Sequence, residues 1–327
     1  MAAKKKQTSS SVSKVHTPAL SVAMSLKNKE QELDKVLGPV KELFRDWDGK
    51  IELLMVDVSS DDNTQEALNN NEFIADLKEK SKGKVISSDS VGGGLIQAAD
   101  QADGDFLLTV TNNLSVSPKL VRQWVKQNPN GIPDNRVFIA SRDWENDQVN
   151  KSTKHEVKNL EPNNNKWFKA FTNTRIEDPQ APVKLYPTDV AQYLFHQISE
   201  NSSCFETEVL HRAEQEGVQI SQPSVKFGHG LSLMDDAPKG GFFRSLGRAL
   251  AYKWNYQIQE PLQVLFSKDH PDRPQGLKQP EYFSRLAFSA ILILLFFLMP
   301  VLSFDYGVTG DENVQQKYGE ELVDYYT

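Results

Sequence analysis

The chain has 327 residues, 39% of them hydrophobic and 25% charged, a globular composition that excludes a collagen-like or wholly disordered protein. Its net charge of −7 argues against a general nucleic-acid binder, which needs a basic face to neutralise phosphates. The single cysteine, Cys204, can form neither an internal disulfide nor a thiolate zinc cluster, which suits a reducing compartment.

Residues 1–18 read as a flexible basic arm, with Lys4, Lys5, Lys6 and Lys14 and no acid. Both a solvated tail and contact with anionic lipid fit that charge. The apolar run at 19–24 is too short for a signal h-region. Strand-like runs then follow at Leu20–Leu26, Ile51–Val58, 84–87, 106–110 and 137–141. Between the first two, Leu33, Val36, Leu37, Val40, Leu43, Phe44 and Trp47 keep the 3.6 period of one helix face. Gly92, Gly93 and Gly94 read as a flexible turn into a helix over 92–99. This alternation predicts an α/β domain over 19–237 with a mainly parallel central sheet. Ligands of such sheets bind beyond the carboxyl ends of the strands, so the loops there should carry the function.

Further along, 146–165 is a polar insertion-like loop, with Trp167, Phe168 and Phe171 suggesting a short helix. Within 238–267, Phe243, Leu246, Leu250 and Trp254 recur at helical spacing among Arg244, Arg248 and Lys253. That is a basic amphipathic helix, suited either to the membrane interface or to packing on the domain. Residues 268–285 read as a linker rich in proline and charge. Residues 286–304 hold no ionisable side chain across 19 positions, ~28 Å as a helix and enough for a transmembrane span. Pro300 sits near its last turn. Lys268, Arg273, Lys278 and Arg285 precede the span and an acidic tail, 305–327, follows it, so the positive-inside bias places the N-terminal domain in the cytoplasm.

The loops carry a pattern: SLKNKE at 25–30, DVSSDDNT at 57–64, TNNLS at 111–115, ASR at 140–142, DPQAPVKLY at 178–186, FETEVL at 205–210 and SVKFGH at 224–229. In order and spacing over about 19–235 this resembles family-2 glycosyltransferases, most closely the branch of dolichyl-phosphate mannosyltransferase and related polyprenyl-phosphate glycosyltransferases. The resemblance implies a GT-A nucleotide-sugar-binding fold, a UDP- or GDP-linked donor, a polyprenyl-phosphate or glycan acceptor at a membrane, and a divalent metal held by a D-x-D motif. It implies a nucleotide-sugar pocket from Asn28, Glu30, Asp57, Ser60, Asp62 (or Asp61), Thr64 and Arg142. Asn28 and Asp57 equally suit turn formation at strand ends, and Arg142 equally suits pairing with a structural carboxylate. Asp178 and Gln180 match the family's D-x-Q run, and Glu208 its F-x-x-E acid, which implies catalytic places for all three. Fixing a loop by hydrogen bonds suits Asp178 and Glu208 as well.

The departures lose charge. Val58 replaces the family's second aspartate, Val91 stands in a turn that often has lysine, and 230–233 lacks the basic residues expected after His229. The metal motif falls on Thr111, Asn112 and Asn113, all neutral, whereas Mg²⁺ and Mn²⁺ prefer carboxylate oxygens. No metal ligand is therefore assigned and no cofactor expected, unless Asp57 or Asp61 rescues the site for Mg²⁺ or Mn²⁺. Lys27 and Lys29, where the family has an aromatic and an acid, are candidate replacement cations. The six histidines show no metal-ligand spacing, and there is no nucleophile elbow or phosphate loop. Two functions remain: a membrane-anchored transferase with weak or lost metal-dependent activity, or a non-catalytic relative that scaffolds protein partners in glycan assembly.

Overall fold

The computed structural model describes residues 18–128, 135–142, 175–179, 181–198, 205–225, 250–251, 254–259, 261–262, 282–305 and 310–326. The basic arm up to residue 17, the 146–165 loop with Trp167, Phe168 and Phe171, Gln180, Phe243, Leu246, residues 230–233 and most of the 268–285 linker lie outside them. Two compact units are present: one comprises Met1–Ala249 with His270–Pro280, the other Leu250–Asp269 with Glu281–Thr327.

In the first unit, strands β1 (Leu20–Leu26), β2 (Ile51–Val58), β3 (Gly83–Ser88), β4 (Phe106–Thr111), β5 (Arg136–Ile139), β7 (Val183–Pro187) and β8 (Gln219–Ser221) form a seven-stranded sheet. Its order is β3-β2-β1-β4-β7-β5-β8, while β6 (Ser141–Arg142) and β9 (Ser224–Val225) pair separately. Every pairing is parallel except those of β7 with β4 and β5. The chain steps outward from β1 to β3 and returns to lay β4 on the other side of β1. That reversal opens a crevice at the carboxyl ends of β1 and β4, where ligands of such sheets bind.

Helices cover both faces, which is why β1 reads as an unbroken buried run. Val22 and Met24 face one core with α1 (Leu33–Asp46) and α5 (Pro118–Lys126). Ala23 faces the other, with α4 (Val91–Asp100), α6 (Thr188–Phe195) and α7 (Phe205–Gln215). The α1 stripe of Leu33, Val36, Leu37, Val40 and Leu43 is buried, each side chain adding about 1.5–3 kcal/mol. Two short helices, α2 (Thr64–Asn70) and α3 (Glu72–Glu79), lead from β2 to β3.

The structure corrects two sequence expectations. The glycine run is no flexible turn: it lies inside the first turns of α4, capped by Ser90, whose Oγ accepts the Gly93 N–H at 3.2 Å. A Cβ at Gly94 would stand 2.3 Å from Val56 Cγ1, so glycine lets α4 settle on β2. Residues 183–187, noted only as a motif end, form a central strand, with Lys184 buried in its middle.

In the second unit, α8 (Tyr282–Asp305) begins four residues before the expected span and includes Pro300. Its Phe283–Leu302 stretch has a mean hydropathy of 2.4 and is 6% buried, long and apolar enough to cross a membrane. The acidic tail forms a further helix, α9 (Gly310–Tyr326).

Candidate functional site

The loops leaving β1 and β2 are bound to each other by the residues singled out in the sequence. Asn28 adopts a left-handed backbone with φ 53°, as Asn tolerates. Its N–H donates to Ser60 Oγ at 3.0 Å, and the Ser60 hydroxyl donates to Asp57 Oδ1 at 2.5 Å. Asn28 Oδ1 in turn accepts the Asp61 N–H at 2.8 Å. One residue on, the Lys29 N–H donates to Thr64 Oγ1 at 2.6 Å, and the Thr64 hydroxyl donates to Asp62 Oδ1. Glu30 closes the network: its N–H donates to Asp62 Oδ2 at 3.2 Å, and its carboxylate accepts from Asn63 N–H and Nδ2 at 3.3 and 3.2 Å.

The structure thus brings Asn28, Glu30, Asp57, Ser60 and Asp62 together. Both oxygens of Glu30 and Oδ2 of Asp62 fasten one loop to the other, while Asp62 Oδ1 accepts from Thr64 within its own loop. Asp57 differs. It is 4% exposed, one oxygen is held by Ser60, and the other accepts no hydrogen bond among the described residues. Lys29 is turned to a loop role as well, pairing with Glu32 at 3.3 Å with its side chain 12% exposed.

Burial alone would raise the pKa of Asp62. Hydrogen bonds from the Thr64 hydroxyl and from the N–H groups of Thr64 and Glu30 outweigh it and hold the carboxyl below its ordinary 3.8. A lowered folded value means that the loop fastening is fully present above the unfolded value and is lost as pH falls through the folded one. Amide exchange at Glu30 and Thr64 is therefore expected to stay slow down to the ordinary aspartate range and to quicken below it. The same measurement in an Asp62→Asn variant should show no such acid step.

At the end of β4, Thr111, Asn112 and Asn113 occupy the crevice between β4 and β1. Asn112 is 2% exposed with φ 60°, and its N–H donates to Ser25 O at 2.8 Å. The Asn113 N–H bonds back to Thr111 O at 2.7 Å. All three side chains are neutral, and among the described residues no group of three His, Cys, Asp or Glu side chains is placed to hold a metal. Hard divalent cations prefer carboxylate oxygens, and this triplet offers none, so it is a poor fit to the metal that the D-x-D motif implies.

Asp178 is buried in the segment entering β7, and Glu208 is buried on α7. Arg142 ends β6, with its side chain outside the description. Sequence reasoning passed over a serine-rich wall. A cleft of about 560 Å³ at the ends of β2 and β3 is lined by Asp57, Ser59, Ser60 and Gln65, by Ser87 to Ser90 including Asp89, and by Gln97 of α4. None of these lining residues is cationic. The signal was available, since Ser87-Ser88-Asp89-Ser90 follows a predicted strand end.

The model of the glycosyl transferase family 2 domain matches residues 21–184, just over half of the chain. The chain belongs to glycosyl transferase family 2. Its fold is the GT-A-like α/β fold with a mostly parallel central sheet that binds nucleotide sugars in this family. Among solved structures it is similar to mannosyl-3-phosphoglycerate synthase from Rubrobacter xylanophilus, at 17% identity over 80% of each chain and a TM-score of 0.49. It is similar to glucosyl-3-phosphoglycerate synthase from Mycobacterium tuberculosis with uridine diphosphate, at 16% identity over 71% of this chain and 79% of that one, TM-score 0.46. A mannosyltransferase from Pyrobaculum calidifontis with GDP-Man and Mn²⁺ is similar at 12% identity over 85% and 81%, TM-score 0.46. A comparison with curated protein sequences finds no match. Within the family-2 domain, then, the β1 and β2 loops, the neutral end of β4 and the serine-walled cleft make up the candidate site.

Proposed function

We propose that this family-2 member is a membrane-anchored glycosyltransferase-like protein that binds a UDP- or GDP-linked sugar at the carboxyl ends of β1, β2 and β4, with conventional metal-dependent transfer weak or lost. The observation that carries the reading is the neutral Thr111-Asn112-Asn113 at the family's metal position. A sugar diphosphate leaving group develops negative charge, and without a cation to stabilise it the departure is slow. If transfer survives, a polyprenyl phosphate of the dolichyl-phosphate mannosyltransferase branch is a suitable acceptor. Already an anion, it needs positioning more than a base, which is the part left to Asp178 and Glu208.

The alternative is a non-catalytic module that binds or scaffolds partners in glycan assembly. It is favoured by the commitment of Glu30 and Asp62 to loop fastening. In either case α8 supplies the anchor, and the basic residues before it, with the acids after it, favour a cytoplasmic domain.

One experiment on the full chain tests these points. Reconstituted with phospholipid vesicles, the protein is expected to float with them and to resist alkaline carbonate. Calorimetric titration with UDP-glucose and GDP-mannose should show binding of one donor with no gain from Mn²⁺, and no transfer to polyprenyl phosphate. Mn²⁺-dependent binding with turnover would overturn the loss of metal-dependent activity. Release by carbonate would remove the anchor.

A further inference from the structure

Leu250, Trp254 and Leu262, in the stretch that precedes the apolar helix, are 50%, 58% and 42% exposed. The sequence around the first two reads as a basic amphipathic helix, with Arg244, Arg248 and Lys253 and no acid from 242 to 258. Two covers suit such a face, the sheet domain or the headgroup layer of a bilayer. The division of the chain favours the bilayer, because Leu250–Asp269 groups with α8 and not with the sheet.

The packing on α8 sets a depth. The helical turn Asn255–Gln259 packs against α8. Among the described residues, burial on α8 is confined to its start, where Arg285, Leu286 and Ala287 are half-buried and Ser289 is 7% exposed. From Ala290 to Leu302 every residue is exposed. The apolar stretch runs Phe283–Leu302, which puts Ser289 ~9 Å along the axis from its first residue, within the ~5–10 Å to which the apolar face of an interfacial helix sinks. We propose that residues 250–262 lie at the headgroup–acyl boundary of the leaflet at the N-terminal end of α8, with Leu250, Trp254 and Leu262 covered by phospholipid. The chain then holds the membrane by a surface-lying segment as well as by a span. Trp254 suits that level, since an indole buries its ring among acyl chains while its N–H reaches the headgroups. The basic residues around it in the sequence match anionic headgroups. This rests on the reading that α8 crosses a bilayer, and adds what the residues before it bind.

The test is tryptophan fluorescence of the full chain in vesicles of phosphatidylcholine and phosphatidylserine, with bromine on the phosphatidylcholine acyl chains as the quencher. The chain has five tryptophans, of which Trp47 and Trp124 are buried in the sheet domain. Bromine near the headgroup is expected to remove about a fifth of the emission, the share of one indole in five at the interface. Bromine at the chain ends should remove less. Trp254→Phe should abolish at least half of the quenching, and Leu250→Trp/Trp254→Phe should restore it; both positions are exposed, so neither variant disturbs a core. Ile291→Trp, on the exposed part of α8, reports on the span separately. If it gains bromine quenching while Trp254→Phe changes nothing and Leu250→Trp/Trp254→Phe restores nothing, the inference falls and the anchor stands. Stronger quenching of Trp254 by bromine at the chain ends would also overturn the inference. If Ile291→Trp gains no quenching, the span reading falls and this inference with it.

Discussion

A Lys184→Met variant is expected to lose about 3 kcal/mol of folding stability, the lower end of what removing one partner of a buried ion pair costs. Lys184 is fully buried in β7, and its Nζ stands 2.9 Å from Glu206 Oε2 on α7 while also donating to Ala181 O at 2.5 Å. Glu206 accepts a further bond from Thr109 Oγ1 of β4 at 3.2 Å. Tyr186, on the same strand, is so deeply buried, with the Glu206 charge beside it, that its phenol is pushed well above the ordinary tyrosine range. Removing the ammonium therefore leaves a carboxylate without its counter-charge, with the Thr109 hydroxyl still donating to it. Glu206 is 12% exposed, which gives it some water and keeps the loss near the lower end. Lys184→Met/Glu206→Gln should recover much of the deficit, because no orphaned charge remains. Denaturant unfolding of the two variants decides it: a loss below about 1 kcal/mol for Lys184→Met would mean the pair has no such weight.

This ion pair also marks where sequence reading stops. Strands β1 and β2 were legible to the residue because a strand covered on both faces is mostly apolar, with Ser21, Ser25, Glu52 and Asp57 as the exceptions here, and polar loops bound it on either side. The α1 stripe was legible because one face is buried and the other wet. β7 is covered on both faces too, but Lys184 interrupts its apolar run, and the carboxylate that makes a buried lysine tolerable comes from a different element. Nothing local predicts that partner. The family pattern drew attention to Glu208, and the acid that pairs with Lys184 of the sheet is Glu206, two residues earlier on α7. At the site, the loop residues Asn28, Asp57 and Ser60 were identified by pattern. That Ser60 bridges the other two depends on the strand register, in which Leu26 stands opposite Asp57. The serines at 87–90 were missed for a similar reason. A serine has no distinctive chemistry by itself, and only the parallel pairing of β2 with β3 makes these part of a cleft beside Asp57.

Restoring acids at the end of β4 should convert the site to metal dependence. Thr111→Asp/Asn113→Asp is expected to make diphosphate binding tighten by at least about tenfold on adding Mn²⁺, where the natural chain is expected to show no response. The substitution leaves Asn112 in place, which matters because its φ of 60° suits Asn and its N–H is tied to Ser25 O at 2.8 Å. Thr111 and Asn113 are half-buried, so the new carboxylates retain part of their hydration and can be accommodated. In EDTA the same variant should behave worse than the natural chain. Two neighbouring carboxylates repel each other and the diphosphate, which is expected to lower stability by about 1 kcal/mol and to weaken UDP and GDP. The opposite responses in EDTA and Mn²⁺ separate a metal site from a general change in folding. Each single variant supplies one carboxylate and should give a smaller Mn²⁺ effect than the pair. A double variant whose diphosphate affinity ignores Mn²⁺ would show that the neutral triplet is not what keeps a metal from this site, and that the β4 end does not face the diphosphate at all.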